Sequence, residues 1–267
     1  MTTVEQHEPG VTLPRVLRSE WLKFRSLPSS PIAIIAAVVG MVGLGWLVCA
    51  LNADRWPQLG PQARANLEPT DLSIHGYVLV QLAFGVLGVL VVSGEYATGM
   101  IRSTFSAVPA RLPVLAAKAA VFALVTFAAG ELSSFAAFLG GQAFLSSQHI
   151  ETTLAEPGVF RAVFGVGLYL TGVGLLGVAF GWLIRYTAGA IAALVALVLV
   201  VPGLAGALPE SWAPHVVPYL PGNAGQALLG VRPAPLTLPP WAGFAWFCGY
   251  VVVALAAAAV VVKRRDA

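Results

Sequence analysis

Six long apolar runs separated by short polar breaks make up most of this chain, covering 32–51, 72–92, 114–145, 162–184, 188–208 and 241–262. A helix needs about 20 apolar residues to cross the roughly 30 Å hydrocarbon layer of a bilayer, so each run predicts one membrane span. The third is placed over 118–145 and is long enough to tilt or to project past the bilayer. Residues 1–13 are polar, with Gly and Pro, and read as a disordered tail. Residues 14–267 read as a single all-α transmembrane domain.

Two shorter stretches follow the helical period instead. Over 14–27, Val16, Leu17, Trp21, Phe24 and Leu27 fall on one side of a wheel and Arg15, Arg18, Lys23 and Arg25 on the other. This predicts a helix lying in the membrane interface, with its basic residues at anionic headgroups. Glu20 falls within the apolar face. It is expected to reach out to water, the alternative being a pair with a neighbouring helix. Over 95–108, Tyr96, Ala97, Met100, Ile101, Thr104, Phe105, Ala107 and Val108 share one half, and Glu95, Thr98, Gly99, Arg102, Ser103 and Ser106 the other. A second amphipathic helix is predicted here between the second and third spans, stopped by Pro109 and Pro113, with its polar side offered to a partner.

Composition agrees with the pattern. Of 267 residues, 58% are hydrophobic and 10% charged, against about 25% charged in an ordinary soluble chain. The isoelectric point near 9.1 does not indicate nucleic acid, because the basic residues form no stripe and sit at the ends of apolar runs. Their distribution orients the chain. Arg15, Arg18, Lys23, Arg25, Arg102, Arg111, Lys118, Arg185, Lys263, Arg264 and Arg265 fall on the side of the termini, and Arg55, Arg64, Arg161 and Arg232 on the other. Eleven against four predicts both termini in the cytoplasm. No secretory signal is apparent, and Cys49 and Cys248 lie far apart in apolar runs, which does not predict a disulfide.

Candidate chemistry is sparse. A nucleotide-binding loop needs Gly-Lys-Ser/Thr, and Lys23, Lys118 and Lys263 are the lysines, none preceded by glycine. His7, His75, His149 and His215 are isolated, so no metal site is expected. Ser133 and Ser134 have no histidine at membrane depth, so no protease is expected. The chain reads as a non-enzyme. Glu131 sits midway along the third span, where a carboxylate is costly. It is either a polar site on a substrate path or protomer interface, or a packing carboxyl beside Thr126, Ser133 and Ser134. The glycines of the fourth span, including Gly177 and Gly181, predict close helix packing within the subunit. Residues 209–232 are too apolar for a solvated loop and too proline-rich for one helix. Short helices dipping into the outer leaflet are expected, with Trp212 and Tyr219 at interface depth.

Four segments together resemble the permease subunits of type-2 ATP-binding-cassette exporters, in the form common in high-GC Gram-positive bacteria. They are Ser19-Glu-Trp-Leu-Lys-Phe-Arg-Ser26, Gly94-Glu-Tyr-Ala-Thr-Gly-Met-Ile-Arg-Ser-Thr104, Ala116-Ala-Lys118 and Tyr219-Leu-Pro-Gly-Asn-Ala-Gly225. The resemblance implies six spans, an assembly of two permease subunits (the same chain twice or two related ones) and a separate ATPase holding Mg-ATP. It implies that 95–108 is a coupling helix docking on that ATPase through Glu95, Tyr96, Thr98, Gly99, Met100, Ile101 and Arg102. It implies further that 14–27, with Arg18, Glu20, Trp21, Lys23 and Arg25, is the family's interface helix. The segment 209–232, with Trp212, Tyr219, Pro221 and Gly222, would be its re-entrant outer gate. Export of a hydrophobic or amphipathic substrate (a drug, lipid or peptide) across a bacterial plasma membrane follows as the expected function, with drug resistance a possible role. A membrane scaffold or sensor subunit, and a self-powered secondary transporter, are the alternatives.

Overall fold

The structure is a computed structural model, and it describes residues 12–26, 28–204 and 207–264. The disordered tail expected over 1–13 therefore lies almost entirely outside the described residues. Among those described, there is no strand. Six helices are long and apolar enough to cross a membrane, over Ser29–Gln58, Pro69–Ala97, Arg111–Gln148, Val159–Ile184, Thr187–Leu204 and Pro240–Arg264.

We label the helices in chain order. They are α1 (Leu13–Ser26), α2 (Ser29–Arg55), α3 (Pro61–Asn66), α4 (Pro69–Ile74), α5 (Tyr77–Ala97), α6 (Met100–Ala107), α7 (Arg111–Leu145), α8 (Val159–Ile184), α9 (Thr187–Val195), α10 (Val201–Leu204), α11 (Ala213–Val216), α12 (Pro221–Gln226) and α13 (Pro240–Arg264). Some helices run past their apolar runs, because a helix begun by burial continues through polar residues until a breaker stops it. Thus α2 reaches Arg55 and α7 begins at Arg111. The 35 residues of α7 span about 52 Å at 1.5 Å each, well beyond the bilayer core. Pro113 is not a stop: it sits in the first turn of α7, where a missing N–H costs nothing.

The bundle is built around α8, whose residues are mostly buried, with α5 and α7 packed most extensively against it and α13 and α9 beside them. Glycine makes the closest approach possible. A Cβ on Gly88 of α5 would meet the Gly174 carbonyl of α8, and one on Gly177 would meet the Gly85 carbonyl. The fourth-span glycines therefore serve packing within the chain, as their spacing predicts. Leucine and valine side chains on α2, α9–α10 and α13 remain exposed, the surface a lipid-facing helix presents.

The fifth span is interrupted. Pro202 has no N–H for the Val198 carbonyl four residues back, and the helix widens into a π turn over Ala196–Val200. A Cβ on Gly222 of α12 would stand 2.8 Å from that carbonyl, so the outer segment packs directly on the widened turn.

The N-terminal helix and the C-terminal end of α13 share one end of the bundle. Val16 and Phe24 of α1 pack in one buried cluster with Ala258 and Val262 of α13. Arg111, at the start of α7, donates to the Val262 carbonyl at 3.3 Å.

Candidate functional site

At this same end, α1, α5, α6 and α7 converge. The end of α5 is fixed by Thr98, whose hydroxyl donates to the Gly94 carbonyl at 2.9 Å. Gly99 then adopts the left-handed conformation (φ 72°), which only glycine takes without strain. The segment expected as one helix over 95–108 is therefore two elements: the last turn of α5 and, after a sharp corner, α6.

That corner divides the predicted docking residues. Thr98, Gly99, Met100 and Arg102 are exposed. The Ser103 and Ser106 hydroxyls, beside them on α6, are exposed and donate to the Met100 and Arg102 carbonyls. Tyr96 is half-buried, edge-on to Trp182 with ring centroids 5.8 Å apart, and Arg185 lies 5.0 Å over its ring. Ile101 is 2% exposed and belongs to the buried cluster with Val114 and Leu115. Phe105 stacks on Trp182 at 6.2 Å. The apolar side of α6 is thus seated on α7 and α8. Glu95 and Ile101 do not share the outward surface, which corrects the expectation that they face a partner.

Glu95 is instead part of a buried ring of four charges. Lys118, two turns into α7, donates to Glu20 Oε2 at 2.6 Å and to Glu95 Oε1 at 2.8 Å. Lys23 donates to Glu20 Oε1 at 2.7 Å, to Glu95 Oε1 at 3.2 Å and to the Thr104 hydroxyl of α6 at 3.1 Å. The side chains of Glu20 and Lys118 are each 3% exposed, that of Glu95 5%, and that of Lys23 22%. Two carboxylates and two ammonium groups alternate and cancel, which is the condition for holding charges away from water. Burial disfavours the Lys23 charge, but the hydrogen bond and charge of Glu20, with those of Glu95, outweigh it and hold the group above its usual 10.5.

Glu20 reaches this ring because Val16, Glu20 and Phe24 form a single buried stripe at i, i+4 and i+8 on α1. The expectation that Glu20 reaches out to water is overturned. Trp21, 43% exposed, and Leu22, 54%, carry the outward apolar surface of α1. Arg18 and Arg25 are exposed.

The opposite end holds a polar chain that the sequence reading missed. Tyr169 of α8 donates to Gln81 Oε1 of α5 at 2.6 Å, Gln226 Nε2 of α12 donates to the Tyr169 hydroxyl at 3.3 Å, and Tyr77 donates to Gln226 Oε1 at 3.4 Å. Gln81 and Tyr169 are buried, so the outer segment is tied to the core of the bundle by hydrogen bonds. The clue was a glutamine in the middle of an apolar run, since a lone buried amide needs partners. Of the residues expected at an outer gate, Pro221 and Gly222 are buried in α12. Tyr219 packs edge-on to Trp246 with centroids 5.4 Å apart, and Trp212 is 64% exposed.

Glu131 lies at the α7–α8 contact, where its carboxyl is the nearest neighbour a Cβ on Gly167 would meet. Its two oxygens are buried with no hydrogen-bond partner. Ser133 and Ser134, expected beside it, bond elsewhere: to the Gly130 carbonyl at 3.0 Å and to the Val163 carbonyl at 2.7 Å. Among the described residues, no group of three His, Cys, Asp or Glu side chains is placed to hold a metal ion, and Cys49 and Cys248 are free thiols.

The chain matches no family model and no curated protein.

Proposed function

We propose that the chain is the membrane-embedded permease subunit of an ATP-driven exporter in a bacterial plasma membrane. In this reading α1, α6 and both termini lie in the cytoplasm, and a separate ATP-binding-cassette ATPase docks on the α5–α6 corner. A second permease subunit completes the path for a hydrophobic or amphipathic substrate. The observation that carries it is α6. This short amphipathic helix, set between two spans, is held by Ile101 and Phe105 while Thr98, Met100, Arg102, Ser103 and Ser106 stay uncovered. Exposed Arg18, Arg25, Lys263 and Arg264 at the same end support the cytoplasmic orientation.

The test uses the exposed residues and leaves the buried ring alone. The double variant Met100→Asp/Arg102→Glu is expected to insert and fold normally. It is expected to lose co-purification of the ATPase and the stimulation of its hydrolysis by the permease. Persistence of both, or absence of any ATPase bound to the wild-type chain, refutes the reading.

A further inference from the structure

Beside the ring of charges the bundle contains a cavity of about 470 Å³ between α1, α2, α5 and α7, within the range of about 300–1,000 Å³ typical of small-molecule sites. Its walls are apolar, formed by Phe24, Ala33, Leu87, Val91 and Phe122, and one end is the ring itself. Leu90 of α5, on its wall, is 44% exposed. The cavity therefore opens on the side of the bundle, where a spanning helix meets lipid.

The hydrogen-bonding capacity of the ring is not fully used. Lys23 makes three bonds and Lys118 two, and three of the four carboxylate oxygens accept from them. The fourth, Glu95 Oε2, is buried with no partner, and Glu95 lines the cavity. A buried carboxylate oxygen without a donor is unfavourable, and a charge-assisted N–H bond relieves it. Lys118 keeps one N–H beyond its two bonds, but the buried atom left without any partner is an acceptor, and what that atom demands is a donor.

We infer that this cavity binds a cationic amphiphile entering from the membrane, with its amine at Glu95 Oε2 and its apolar chain or rings against Phe24, Val91 and Phe122. The assignment narrows the substrate class of the exporter reading and rests on that reading only in calling the ligand a substrate. Binding itself is a property of this chain alone.

The experiment measures binding of radiolabelled dodecylamine to the purified full chain in phosphatidylcholine nanodiscs, without ATPase, so its outcome is separate from that of the docking test. Saturable binding of one dodecylamine per chain is expected, not displaced by dodecanoate. Loss of one charge-assisted bond in Glu95→Gln is expected to weaken it about tenfold or more. Ala33→Trp fills the cavity, leaves every charge in place, and is expected to weaken binding at least as much, so it decides the matter if Glu95→Gln fails to fold. Three results overturn the inference: no saturable binding above protein-free nanodiscs, displacement by dodecanoate as effective as by dodecylamine, or wild-type affinity in Ala33→Trp.

Discussion

Replacing Lys118 by methionine should be among the most damaging single changes at the α1 end of the bundle, and replacing Lys23 much milder. Lys118 is 3% exposed and bridges Glu20 to Glu95 through bonds of 2.6 and 2.8 Å. Without it, two buried carboxylates share a single lysine and the site carries an uncompensated negative charge. Breaking a buried pair in this way costs about 3–5 kcal/mol. Lys23 is 22% exposed, so water recovers part of what its loss removes. A cost of about 1–2 kcal/mol follows. Unfolding in mixed micelles titrated with sodium dodecyl sulfate gives both free energies. Hydrogen exchange localises the effect, with the amides of α1 expected to lose protection first because Glu20 ties that helix to α7. Adding Glu20→Gln to Lys118→Met restores neutrality and should recover about 1 kcal/mol or more. Equal costs for the two lysines, or a cost below about 1 kcal/mol for Lys118→Met, would show that the ring does not hold this end together.

Three further outcomes are expected. Gly99→Ala meets no neighbouring atom but must hold φ 72°. It should therefore cost about 1 kcal/mol by backbone strain alone in the same titration; a cost near zero would mean the corner readily takes another shape. Gly167→Ala places a methyl group against the Glu131 carboxyl and should destabilise by about 1–3 kcal/mol. The double variant Gly167→Ala/Glu131→Ala should recover most of this, and additive losses would refute the contact. The Lys23 contribution should be fully present below pH 10.5 and fall only as pH rises through the higher folded-state value. An alkaline loss of stability that persists unchanged in Lys23→Met belongs to another group.

The spans were legible because hydropathy over a run of about 20 residues is a collective signal that no single residue can undo. Their ends were not, because α2 and α7 continue as helix through Arg55 and from Arg111, and polar residues there cost nothing once outside the hydrocarbon. The corner at Gly99 was hidden by the helical wheel. The wheel assumes a continuous helix, and the apolar positions 96 and 97 before the break and 100, 101, 104 and 105 after it keep one period. The ring was half legible. Glu20 within an apolar face stood out, whereas Lys118 read as an ordinary charge at the start of a span. Two unmatched charges of opposite sign on apolar surfaces suit one another, but a pairing across 98 positions leaves no trace in local periodicity. Thr98, Gly99, Arg102, Ser103 and Ser106 are exposed as their half of the wheel predicts and Ile101 is buried as its half predicts, whereas the burial of Glu95 on the polar half depended on partners in α1 and α7.

The ring also bears on how α6 can move under the exporter reading. Gly99 looks like a hinge, since it is exposed and a Cβ there would meet no atom within 4 Å. Yet α6 is tied to α1 through the Lys23–Thr104 bond, to α8 through the Phe105–Trp182 stack, and to α7 through Arg111, 5.2 Å over the Phe105 ring. Rotation about Gly99 alone must break all three, at roughly 0.5–1.5 kcal/mol each. A displacement of α6 together with α1 keeps the Lys23 bond and moves the ring as one body. A partner pressing on the α5–α6 corner would then act on the ends of α5 and α7 and on the neighbouring cavity together. A short covalent crosslink between α1 and α6 separates the two motions. Turnover of the complex should survive the crosslink if α1 and α6 move as one body, and stop if α6 hinges by itself.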